Sequence, residues 1–215
     1  MKKAVVFDMN GVIINDERIH QESWRQYCRE HGFLLSEEEF KHRVFGRSEK
    51  EILEYLYKRN ITDEELEKDS NARVERTIAI YKPQIELAEG LKKLLDELTE
   101  LSIPLAIATS SRRRYFEFIM TELDLSKHFK AVVTAEEISN GKPDPEIYLK
   151  AADAIHVAPE DCVAIEDTIS GIKAAQAAGM AVIAIASTHR AEELTLANRV
   201  LRSFKDVDAS ALLDC

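Results

Sequence analysis

Asp8 stands directly after the apolar run Ala4-Val5-Val6-Phe7, and Asn10 follows two residues later. Side chains two apart on an extended chain point the same way, so both should face one site at the C-terminal end of a strand. Thr109 and Ser110 end a second apolar run, just before a helical pattern. Their hydroxyls, with the first N–H groups of that helix, would make a phosphate cradle. Lys142, in Gly141-Lys142-Pro143-Asp144, offers a cation from a loop that proline holds in shape. Glu166-Asp167 closes a further run with paired carboxylates, which suit a hard, oxygen-ligated cation such as Mg²⁺. Each signal alone is weak. An aspartate after a strand is usually a turn residue, a single lysine a solvated charge, and an acidic pair a helix N-cap. Together, four strand ends deliver a carboxylate, a hydroxyl, a lysine and an acidic pair, and that combination outweighs the bland readings.

Such residues need a scaffold that gathers strand ends. Ala4–Phe7, Pro104–Ala108, Ala131–Val133, Cys162–Ile165 and Ala181–Ala186 are short apolar runs without polar alternation, as parallel strands covered on both faces should be. Leu91, Leu94, Leu95, Leu98 and Leu101 form one stripe at helical spacing. A helix should open with Asp144 as N-cap and Pro145 at its first position, burying Ile147, Tyr148, Ala151 and Ile155. Another, after Asp167, should pack Ile169, Ile172 and Ala175 and end near Gly179. This alternation predicts an α/β fold, a Rossmann-like doubly wound parallel sheet.

Residues 16–81 read differently, with no convincing strand. Ser36–Glu39, Ser48–Glu51 and Thr62–Glu65 each fit the capping box that starts a helix. His20, Trp24, Tyr27, Cys28 and His31 share one face of the first helix. The expected organisation is a core domain of residues 1–15 and 82–215 with an inserted α-helical cap domain, 16–81.

A net charge of -10 argues against nucleic-acid or anionic-membrane partners, which need a basic surface. It leaves room for a small phosphorylated metabolite held by a few local cations. After Met1-Lys2-Lys3 the apolar run stops at Asp8. That is far short of the roughly 7–15 residues of a secretory segment or the about 20 of a membrane span. The three cysteines form no CxxC pair and are expected to be reduced thiols of a cytoplasmic protein. Oligomeric state is not legible.

The segments Phe7-Asp8-Met9-Asn10-Gly11-Val12, Ala108-Thr109-Ser110, Gly141-Lys142-Pro143-Asp144-Pro145 and Ile165-Glu166-Asp167-Thr168 resemble the four motifs of the haloacid dehalogenase superfamily, in order and over nearly the whole chain. The helical insert resembles the small cap of the β-phosphoglucomutase-like branch, which His20, Trp24 and Gly46-Arg47-Ser48 also fit. The resemblance implies that Asp8 attacks phosphorus and forms an aspartyl-phosphate, while Thr109 and Lys142 hold the phosphoryl group. It implies Mg²⁺ bound by Asp8, Asp167 and the backbone carbonyl of Asn10, with Glu166 as a ligand or water holder. Ser110, Arg47 and His20 would contact substrate, Arg47 by gripping a second phosphate or carboxylate.

The chain departs from that pattern at Asn10, where the family has an aspartate that protonates the leaving oxygen and later deprotonates the attacking water. An amide cannot exchange a proton in this way near neutral pH. Asn15-Asp16-Glu17 also departs from the usual Asp-Ser/Thr-Glu. The expected function is Mg²⁺-dependent hydrolysis of small phosphate monoesters such as sugar phosphates, slowed by Asn10. Two alternatives stay open: a β-phosphoglucomutase-like phosphomutase, and a low-turnover protein that binds or senses a phosphorylated metabolite.

Overall fold

The computed structural model describes residues 1–44 and 47–215, which fall into two compact units. One is Asp16–Gln84, the other Met1–Asn15 with Ile85–Cys215. The first unit is helical: α1 (Glu17–Glu30), α2 (Glu37–Arg43), α3 (Glu49–Tyr57) and α4 (Asp63–Tyr81). Ser36, Ser48 and Thr62 cap α2, α3 and α4, and Glu39, Glu51 and Glu65 reach back to complete each box. Trp24, Tyr27, Phe40, Ile52, Leu53 and Leu56 form its core. A 3₁₀ turn over Lys82–Gln84 continues α4 and belongs to this unit, so the other unit resumes at Ile85 rather than at residue 82.

The second unit is built on β1 (Ala4–Phe7), β2 (Leu105–Ala108), β3 (Ala131–Val133), β4 (Cys162–Glu166), β5 (Ala181–Ile185) and β6 (Arg199–Leu201). They form one parallel sheet in the order β3-β2-β1-β4-β5-β6. The chain winds outward from β1 to β3 and then crosses to β4 on the other side of β1. That reversal makes a switch point between β1 and β4, where open α/β sheets bind ligands at the strands' C-terminal ends. Phe7 pairs with Ile165 across the two strands, so Asp8 leaves β1 level with Glu166.

The sheet is flanked by α5 (Leu91–Glu100), α6 (Arg113–Glu122), α7 (Glu146–Ala154), α8 (Ile169–Ala177) and α9 (Ala209–Leu213). Ala106, Ala108, Ala164 and Ala184 line one face, where they pack with Ala151 and Ala152 of α7 and Ala174 and Ala175 of α8. Small side chains on both sides let those helices lie close to the strands. Three expectations need correction. Leu101 is 57% exposed, because α5 ends one residue before it. The helix expected to begin with Pro145 has that proline as its N-cap, and the Asp144 carboxylate accepts the Glu146 N–H at 2.9 Å. Ile169, expected to pack, is 36% exposed at the start of α8. The edge strand β6, three residues with only Leu201 buried, lies outside the apolar runs of the sequence. No helix among the described residues is long and apolar enough to cross a membrane.

His128 is a buried titratable group in the segment between α6 and β3, and it bonds to α5. The Thr99 hydroxyl donates to the Leu95 carbonyl, so the His128 Nδ1–H donates to Thr99 at 2.9 Å. Burial lowers the imidazole's pKa, against the opposing charge of Asp96. The unfolded chain therefore takes up this proton at higher pH than the folded one. The associated stability is present above about pH 6.5, the ordinary histidine value, and is lost as pH falls through the lowered folded pKa. Urea midpoints measured from pH 7.5 to 5 should fall less steeply in His128→Gln than in the parent. Equal slopes would mean the ring is not held neutral.

Candidate active site

β1 ends in a loop whose shape is set by one glycine. Gly11 has φ +74°, and a Cβ there would stand 2.0 Å from the Asp167 Oδ2. Its N–H donates to the Ile14 carbonyl at 2.7 Å, while the Met9 carbonyl takes the Ile13 N–H at 2.8 Å. Asp8 and Asn10 are thereby presented at the β1 end of the switch point, with the Asp8 N–H still laddered to Ile165 of β4 at 2.9 Å.

The end of β2 meets Asn10. Thr109 is fully buried, and its hydroxyl lies 3.3 Å from the Asn10 Oδ1. The Ser111 hydroxyl donates to that same oxygen at 2.7 Å. Ser110 is exposed, in a loop that delays α6 until Arg113. The hydroxyl partner of position 10 is thus Ser111 as well as Thr109.

Lys142 joins the strand ends electrostatically. Its ammonium donates to the Asp8 Oδ1 at 2.6 Å, to the Glu166 Oε1 at 2.6 Å and to the Ala108 carbonyl at 3.3 Å. The Tyr148 ring centroid lies 5.1 Å from the ammonium, and the Tyr148 hydroxyl donates to Glu166 Oε1 at 2.8 Å. The other Glu166 oxygen accepts from the Asp167 N–H, the Thr168 N–H and the Thr168 hydroxyl at 2.9, 3.0 and 3.0 Å. A carboxylate has about four lone-pair sites, so these donors fill it. Asp167 differs: the Thr188 hydroxyl donates to its Oδ2 at 2.5 Å, while its buried Oδ1 has no partner among the described residues.

Charge is unbalanced here. Asp8, Glu166 and Asp167 surround one ammonium, an excess of two negative charges if all three ionise. Burial pushes Asp8 up to about 7, against the pull of Lys142. Burial, with the charges of Asp8 and Glu166, pushes Asp167 up to about 8. For Glu166 burial opposes the charge, but Lys142 overcomes it and holds the group below its ordinary value. Lys142 is raised: burial works against its charge, and the two carboxylates outweigh burial. A divalent cation would cancel the excess charge. The unpartnered Asp167 oxygen, and carboxylate oxygens of Asp8 and Asp167 within 4.8 Å of each other, fit Mg²⁺.

A profile of the haloacid dehalogenase-like hydrolases matches residues 5–185. The chain belongs to this family. Among its relatives, the validoxylamine A 7'-phosphate phosphatase of Streptomyces hygroscopicus is 31% identical, over 96% of each chain. The phosphorylated carbohydrates phosphatase of Thermotoga maritima is 33% identical, over 83% of this chain and 82% of that one. The β-phosphoglucomutase of Bacillus subtilis is 30% identical, over 98% and 93%. Among solved structures, a family IA hydrolase of the superfamily from Entamoeba histolytica aligns with a TM-score of 0.90 at 33% identity, covering 99% and 98% of the two chains. An Asp-to-Asn mutant of CbbY from Rhodobacter sphaeroides, in complex with xylulose-(1,5)bisphosphate, aligns at 0.86 with 25% identity, covering 99% of each.

In this haloacid dehalogenase-like chain the sheet unit brings together Asp8, Asn10, Thr109, Lys142, Glu166 and Asp167. Arg47 and His20 belong to the helical unit, and Gly46 lies outside the described residues. Arg47 is exposed, 3.9 Å from Glu51. His20 sits between Asp16, 3.0 Å from its Nε2, and the Arg73 guanidinium, 3.4 Å from its Nδ1. A guanidinium only donates, so Nδ1 accepts and the Nε2–H points to Asp16. Ser111, Tyr148 and Thr188 were missed in the sequence. Ser111 was one position beyond the strand-end hydroxyls, Tyr148 read as a core residue of its helix, and Thr188 follows β5 with no motif to mark it.

Gly171 lies against Glu166. A Cβ at position 171 would stand 1.7 Å from the Glu166 Oε1. Alanine in a helix interior is normally worth about 0.5–1 kcal/mol over glycine. Here Gly171→Ala should instead lower the melting temperature, because it displaces the carboxylate that anchors Lys142. A rise in differential scanning fluorimetry would show that Glu166 has room to move.

Proposed function

We propose that the chain is a Mg²⁺-dependent phosphohydrolase of small phosphate monoesters, sugar phosphates among them, with Asp8 as nucleophile and Asn10 as the residue that slows turnover. The observation that carries this reading is the buried Asp8–Lys142–Glu166 cluster at the switch point, beside an Asp167 oxygen with no partner among the described residues. Relatives named for phosphatase activity on phosphorylated carbohydrates and on validoxylamine A 7'-phosphate support the substrate class.

Asp8, Asp167 and the backbone carbonyl of Asn10 would hold Mg²⁺, which offsets negative charge on the phosphoryl oxygens when bound. An Asp8 oxygen forms a bond to phosphorus as the ester P–O bond breaks, leaving an aspartyl-phosphate and an alkoxide that needs a proton. Water then attacks phosphorus, the Asp8–phosphorus bond breaks, and inorganic phosphate leaves after the water gives up a proton. Lys142 and Thr109 hold the transferring group throughout. Glu166, its lone pairs already filled, holds Lys142 rather than the metal. Substrate selection would fall to Ser110 and to Arg47 and His20 of the helical unit.

Both steps need a proton shuttle that the Asn10 amide does not supply. Its carbonyl is already engaged by Ser111 and Thr109. This favours a second reading, a protein that binds its phosphorylated metabolite and turns it over slowly. The Asp-to-Asn mutant of CbbY that holds a sugar bisphosphate supports the view that ligand binding survives loss of a carboxylate. A phosphomutase, as the B. subtilis relative is named, would draw on the same cluster.

Mg²⁺-dependent phosphate release from a panel of sugar monophosphates separates the hydrolase from the other two readings. Asn10→Asp should release phosphate about 10²–10⁴-fold faster than the parent, the usual worth of one general acid–base group. Equal rates would remove the proton-shuttle role from position 10. No release by either protein would remove the hydrolase reading.

A further inference from the structure

We infer that Thr188 is a positioning residue that fixes Asp167 as a one-oxygen ligand and so sets a preference for Mg²⁺ over Ca²⁺. The inference rests on the proposed reading that Asp8 and Asp167 hold a divalent cation.

Three contacts define the arrangement. The Thr188 hydroxyl donates to Asp167 Oδ2 at 2.5 Å and lies 3.1 Å from the His189 Nδ1. From the other side, Gly11 crowds the same Oδ2: even a methyl on Gly11 would stand 2.0 Å from it and 3.1 Å from the Thr188 Cγ2. The neighbouring Ser187 hydroxyl donates to the Gly11 carbonyl at 2.5 Å, so the turn after β5 grips the Gly11 loop as well as Asp167. Oδ2 is hydrogen-bonded and walled in, whereas Oδ1 is buried without a partner among the described residues. The carboxylate is 2% exposed, so it does not turn freely into solvent.

That asymmetry has a chemical consequence. Mg²⁺ demands near-octahedral geometry with short bonds and takes carboxylates through one oxygen; Ca²⁺ accepts more ligands, longer bonds and bidentate carboxylates. A carboxylate with one oxygen already committed to a hydroxyl offers the Mg²⁺ mode and withholds the Ca²⁺ mode. Removing the hydroxyl frees both oxygens and lets the group rotate.

Thr188→Val removes the donor while nearly keeping shape, and Thr188→Ser keeps the donor while losing the methyl. Isothermal titration calorimetry with Mg²⁺ and, separately, Ca²⁺, with no substrate present, reads both affinities directly. Loss of an outer hydrogen bond to a metal ligand typically costs about 10–100-fold in affinity, and Thr188→Val should lose Mg²⁺ affinity in that range. Its Ca²⁺ affinity should fall less, narrowing the preference, and Thr188→Ser should stay within a few-fold of the parent. Thermal melts of both variants establish that each is folded; a misfolded Thr188→Val leaves the decision to Thr188→Ser, whose loss of Mg²⁺ affinity would overturn the hydroxyl's role. A folded Thr188→Val with parental affinities for both ions would overturn the inference and leave the metal site standing. A parent that binds no Mg²⁺ would overturn both the metal reading and the inference.

Discussion

Three buried carboxylates share one buried ammonium, and most of the sheet unit's local geometry follows from making that tolerable. An unpaired buried charge is expensive, and removing one partner of a buried pair leaves the other uncompensated. Glu166 is fully compensated, with Lys142, Tyr148, Thr168 and the Asp167 N–H around its two oxygens. Asp8 is compensated in part, by Lys142. Asp167 has one hydroxyl and one bare oxygen. The deficit therefore accumulates at Asp8 and Asp167, the pair that flanks the switch point, and a divalent cation has its electrostatic reason there.

Bringing these groups together constrains residues that carry no chemistry. Parallel strands in register are needed so that Asp8 emerges level with Glu166. The alanines of the α7–α8 face let Tyr148 approach far enough for its hydroxyl to reach Glu166. Gly11 and Gly171 are demanded for the same reason: at each, a side chain would occupy the space of a carboxylate. The glycines, alanines and carboxylates are parts of one packing solution. A change at any of them should be felt at Lys142, which touches three strand ends at once.

How much of this was legible depends on how far each contact reaches along the chain. The strands that carry Asp8, Thr109 and Glu166 announce themselves, because burial on both faces leaves unbroken apolar runs. β6 stays hidden because its three residues open on the exposed Arg199, whereas the equally short edge strand β3 is apolar throughout. The capping boxes of the helical unit are local patterns and read correctly from spacing alone. Ser111 and Ser110 cannot be told apart without the loop that precedes α6, since one residue of register decides which hydroxyl turns toward Asn10. Tyr148 and Thr188 act 18 and 21 residues from their partners, across elements, and no spacing rule marks such pairs.

Asn10 is where scaffold and chemistry part company. The hydroxyls of Ser111 and Thr109 donate to its carbonyl oxygen, and they would donate equally well to a carboxylate oxygen. Neither of those two hydrogen bonds requires an amide. What the amide changes is charge and protons: a carboxylate at position 10 would add a fourth negative group beside Asp8, Glu166 and Asp167. The neutral side chain spares the site that repulsion, and an anionic phosphate meets a less negative surface. Under the proposed reading the same substitution therefore moves binding and turnover in opposite directions, easing the approach of phosphate while withholding the proton transfers that would release product.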